Sequence, residues 1–76
     1  MSYYSGWDET YYRAKELFEN AKWFNDGRDK AQALKDAINK AYALPDSYPE
    51  KDKLIYDIEH YAYKCHIDLD EISGYY

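Results

Sequence analysis

The 76-residue chain carries a net charge of −5 and a single cysteine, and no apolar run in it approaches the roughly 20 residues a membrane span requires. That excludes an intrachain disulfide framework and a spanning helix, and the length fits one domain, residues 1–76, near the lower limit for folding without a metal or a partner. An acidic chain repels phosphate backbones, so duplex nucleic-acid binding is not expected.

Eleven tyrosines, two tryptophans and two phenylalanines together make up 20% of the residues. Valine is absent and threonine occurs once, which argues against strands, since pleated surfaces favour β-branched side chains. The opening MSYYSGWDET holds neither the basic region nor the apolar segment of a secretory signal, and a cytoplasmic chain is expected.

The first helix is predicted over residues 8–25, with Ser5 or Asp8 placed to cap its start. Trp7, Tyr11, Ala14, Leu17, Phe18, Ala21 and Phe24 recur at steps of three and four, which gathers them on one face of a helix turning about 100° per residue. Asn25-Asp26-Gly27 is read as its end, because Asn and Gly tolerate the left-handed conformation a helix terminus often needs. The second helix is predicted over 29–43, with Ala31, Leu34, Ile38, Ala41 and Tyr42 as its stripe, widened by Ala33 and Ala37. Alanine at these positions lets a neighbouring helix approach closely, and Pro45 stops the run. The third helix is predicted over 49–66. Ser47-Tyr48-Pro49-Glu50 reads as a capping box, and Leu54, Ile55, Ile58, Tyr61, Ala62 and Cys65 form the stripe. A further short turn is placed at about 68–73. The fold expected is all-α, a small antiparallel three-helix bundle burying these stripes together.

The segments AKELFENAKWF and ALKDAINKAYALP loosely resemble the helix pairs of tetratricopeptide repeats. No second copy follows at the period of about 34 residues, and the two are read as a generic alanine-rich helix hairpin.

YDIEHYAYKCH, residues 56–66, raises the question of a metal or a nucleophile. Two ligands share one ion on a helix when they lie four apart, but His60 has Lys64 at that spacing and His66 lies six residues on. Cys65 falls on the apolar stripe and reads as a small buried hydrophobe. Cys65 and His66 are sequence neighbours, about 100° apart on a helix, so they do not face each other as a nucleophile and its base must. No metal site, no cofactor and no catalytic residue is expected, and the chain is read as non-enzymatic.

The outward faces are the informative ones. Opposite the first stripe lie Tyr12, Glu16, Glu19 and Trp23, at steps of four, three and four. Opposite the third lie Tyr56 and Tyr63, seven residues apart on one line, with Asp52 and Glu59 beside it. Neither row fits into the core that the stripes build. Tyr and Trp give large contact area for little lost rotamer freedom, so the candidate partner-binding residues are Tyr12, Glu16, Glu19, Trp23, Tyr56, Glu59 and Tyr63. Tyr3-Tyr4 and Tyr75-Tyr76 are read either as extensions of that surface or as loosely attached ends.

The function this pattern favours is protein binding: an aromatic and acidic surface docking on a partner with a basic surface. Small inhibitors that viruses and mobile elements direct at host enzymes or complexes share this size and acidity. One alternative is a homo-oligomer whose rows pack on each other and hold a small ligand such as a nucleotide between subunits. Another is a nucleic-acid mimic, with carboxylates standing in for phosphates. Stacking on single-stranded nucleic acid needs a positive groove, and the acids beside Trp23, Tyr56 and Tyr63 oppose it; only Arg28, Lys30, Lys35 and Lys40 of the second helix offer one.

Overall fold

The computed structural model describes residues 5–69, which form three helices: α1 (Ser5–Ala21), α2 (Gly27–Tyr42) and α3 (Lys51–Lys64). The fold is the expected all-α bundle. α2 lies at its centre, packing extensively on α1 and well on α3, while α1 and α3 touch only sparingly. The core gathers Ala14, Phe18 and Ala21 of α1, Leu34, Ala37, Ile38 and Ala41 of α2, and Leu54, Ile58 and Ala62 of α3. Half of these ten residues are alanine, so the helices approach closely, and Phe18, Leu34, Ile38, Leu54 and Ile58 are the large side chains that fill the space between them.

The helix ends differ from the predicted ones, each for a local reason. α1 stops at Ala21 because the next N–H groups reach back three residues instead of four: Lys22 to Glu19 O, Trp23 to Asn20 O and Phe24 to Ala21 O, at 3.2, 3.0 and 3.3 Å. Phe24 is consequently exposed, as is Trp7 at the other end of the stripe. Gly27 does not end α1 but opens α2, and among the described residues no glycine has a positive φ. Asp26 is the N-cap of α2, its side chain accepting from the Arg28 N–H at 2.7 Å. Tyr42 leaves the core as well. Ser47 does not cap α3: the N-cap is Glu50, with no side-chain hydrogen bond there. The expected turn at 68–73 runs beyond Leu69 and falls outside the described residues, as do Tyr3-Tyr4 and Tyr75-Tyr76.

Two side chains secure the α2–α3 linker in place of a capping box. Lys51 is buried, and its ammonium donates to the Leu44 carbonyl at 2.7 Å and to Asp46 Oδ1 at 2.9 Å. It thereby satisfies a backbone oxygen just past the end of α2, where a cation is favoured. The hydrogen bond from Lys51, and then its charge, hold the Asp46 carboxyl below the usual range.

Tyr48 is the second clamp. Its ring is buried beside Tyr11 at 5.5 Å between centroids, and its hydroxyl donates to Asp8 Oδ1 at 2.6 Å, tying the linker to the first turn of α1. Burial, and then the bond to Asp8, push the Tyr48 hydroxyl well above its ordinary range. A group with a raised folded-state pKa stabilises fully below its unfolded value, about 10 for tyrosine, and loses that contribution as pH climbs beyond it. Tyr48→Phe keeps the ring and removes only the donor, so it is expected to cost about 1.5 kcal/mol in chemical denaturation at neutral pH. The gap between variant and wild type should narrow in alkali, where the unfolded chain's tyrosine ionises first.

Candidate functional site

The buried faces of α1 and α3 turn toward α2, and that orientation decides where their backs point. Tyr12 and Trp23 are 65% and 83% exposed; Tyr56 and Tyr63 are 62% and 80% exposed. Glu16, Glu19 and Glu59 are exposed beside them. All seven residues singled out in the sequence therefore lie at the surface: Tyr12, Glu16 and Glu19 on α1, Tyr56, Glu59 and Tyr63 on α3, and Trp23 beyond the end of α1. Trp23 sits just past the end of α1, carried there by the tightened turn rather than by the helix itself. The back of α2 is different: Gln32, Asp36 and Asn39 are exposed there, with no aromatic residue among them.

The aromatic rings are held but not covered. Tyr12 lies 5.4 Å from Tyr11, which packs on the buried Tyr48 and against the core, so Tyr12 is anchored at that point. Tyr56 stacks on His60, one helical turn on, at 5.6 Å and 10° between planes. The carboxylates have light attachments. Glu16 lies 4.0 Å from Arg13, and Glu19 lies 3.3 Å from Lys22, exposed pairs of the kind worth well under about 1 kcal/mol. Lys22 is engaged elsewhere too, with its ammonium 4.5 Å from the Phe18 ring centre. Lys30 donates to the Tyr61 hydroxyl at 2.9 Å. Phe18 and Tyr61 meet edge to face at 5.8 Å, so these lysines seal the seam between α1 and α3.

Tyr42, read as a stripe residue, is exposed, and its hydroxyl donates to Glu59 Oε2 at 3.3 Å, bringing α2 to the α3 row. The chain leaves α3 through His66, which has a φ of 61°. The His66 N–H donates to Tyr63 O at 3.0 Å and the Ile67 N–H to Ala62 O at 2.9 Å, a helix end closed by a left-handed residue. That position usually belongs to glycine; a side chain there costs about 1 kcal/mol, although histidine accepts it more readily than most. The reversal folds Ile67 and Leu69 back against the core. Between them and the helix lies an open hollow of about 490 Å³, with Ala62, Ile67 and Leu69 inside and Glu59, Tyr63, His66 and Asp68 around it.

Among the described residues no group of three or more His, Cys, Asp or Glu is placed to hold a metal ion, and no helix is long and apolar enough to cross a membrane. Cys65, expected in the core, is only half-buried at the end of α3. Compared with protein-family models, curated proteins and solved structures, the chain matches none.

Proposed function

We propose that the protein is a non-enzymatic binding module that docks on a basic partner through the aromatic and acidic backs of α1 and α3. One observation carries the reading: Tyr12, Trp23, Tyr56 and Tyr63 are the most exposed large aromatic side chains described, and the three on helices share those helices with the exposed carboxylates of Glu16, Glu19 and Glu59. Isolated exposed aromatics are ordinary, whereas several exposed Tyr and Trp side chains together are what interface centres are enriched in. The rings supply contact area, and the acids steer a positively charged surface toward them. A non-enzymatic domain of this kind acts by occupying a surface, which is how an inhibitor of a host enzyme or complex works; its acidity favours that use.

The reading has a salt signature. Immobilised protein should retain from a cell lysate a protein with a basic surface at low salt, and release it at high salt, where exposed charges are screened. If nothing is retained, and the chain instead associates with itself as its concentration rises, the reading fails and the homo-oligomer takes its place.

A further inference from the structure

We infer that the hollow at the C-terminal end of α3 is an arginine pocket, receiving one guanidinium side chain from the basic partner. The inference rests on the docking role proposed above and names the chemistry of its sharpest contact. The described residues leave the hollow open, so they do not enclose a free metabolite as a ligand pocket does; its occupant must bring surface of its own. The floor of Ala62, Ile67 and Leu69 is apolar and suits the methylene stem of a long side chain. At the rim stand the Glu59 carboxylate and the exposed ring of Tyr63, with the His66 imidazole and the already engaged Asp68 carboxylate beside them.

An aliphatic side chain would fill the floor and leave that rim unused. A lysine would meet the acids as a point charge. A guanidinium does more, because it is planar: it can lie on the face of Tyr63 while its N–H fork donates to Glu59. Glu59 already accepts from the Tyr42 hydroxyl, yet a carboxylate has about four lone-pair sites and keeps capacity for a second donor. The left-handed turn at His66 fits the same picture. A strained residue is retained where the surrounding structure needs it, and here it folds Ile67 and Leu69 into the floor.

The test is a titration of isotopically labelled protein with a hexa-arginine peptide, followed by amide chemical shifts. Hexa-citrulline, uncharged and of nearly the same shape, and hexa-lysine are the comparisons. Hexa-arginine is expected to shift the amides of residues 59–69, hexa-lysine to bind there more weakly, and hexa-citrulline to leave them unmoved. Glu59→Gln retains an acceptor for the Tyr42 hydroxyl, so the fold should persist while hexa-arginine binding weakens about tenfold. Equal shifts with hexa-citrulline, or unchanged binding by Glu59→Gln, overturn the pocket. Shifts confined to the α1 row around Tyr12 and Glu16 overturn it too, but leave the docking role standing. Absence of any shift also overturns it, and the docking role is then decided separately by the salt-dependent capture.

Discussion

Ile58→Ala is expected to cost about 2–5 kcal/mol in urea unfolding followed by circular dichroism. Ile58 is completely buried and, within the cluster where the three helices meet, is one of five large side chains packed among five alanines. Alanine neighbours on helices already in close contact leave little to collapse into the cavity, so the upper half of the range applies. A domain this small has roughly 3–5 kcal/mol in total. The variant should therefore be largely unfolded at room temperature. Leu17→Ala is the contrast. The helical period places Leu17 in the α1 stripe as firmly as it places Ile58 in the α3 stripe, but Leu17 packs only at the edge of the core and is partly buried. Its loss should be clearly smaller, and equal losses would mean that the helices pack in a different rotation.

The stripes were legible because a helix repeats every 3.6 residues, and apolar residues at three and four can serve only one face. Their backs were legible by subtraction: once Leu54, Ile58 and Ala62 point inward, Tyr56 and Tyr63 have nowhere to go but out. The ends were not legible, because contacts between elements set them. The start of α3 is organised by Lys51 reaching Leu44 and Tyr48 reaching Asp8, the latter a bond spanning forty residues that no local cap pattern announces. Tyr42 shows the limit of a stripe argument. It lies at the flank of its stripe, and a tyrosine there can leave the core as soon as its hydroxyl finds an outside partner, here Glu59. The hollow was invisible for a related reason. It depends on a chain reversal at His66, where a glycine would have been the recognisable signal.

The second large effect concerns binding alone. Replacing Tyr12, Trp23, Tyr56 and Tyr63 together by Ala removes exposed rings, each substitution worth about 0.5 kcal/mol or less to the fold, and alanine is the better helix former at the three positions within helices. What stability disappears is mostly the Tyr56–His60 stack and the Tyr11–Tyr12 contact. At an interface the same rings behave differently. Two of them at hot-spot strength, about 2 kcal/mol each, already weaken a complex about a thousandfold.

The measurement that bears most directly on the docking role is therefore made on this fourfold variant: its urea midpoint beside wild type, and its affinity for the protein that wild type retains. The expected result is a midpoint close to that of wild type with binding reduced below detection. A variant that binds as wild type does would show the rows to be ordinary surface, and one that unfolds would show them to be core.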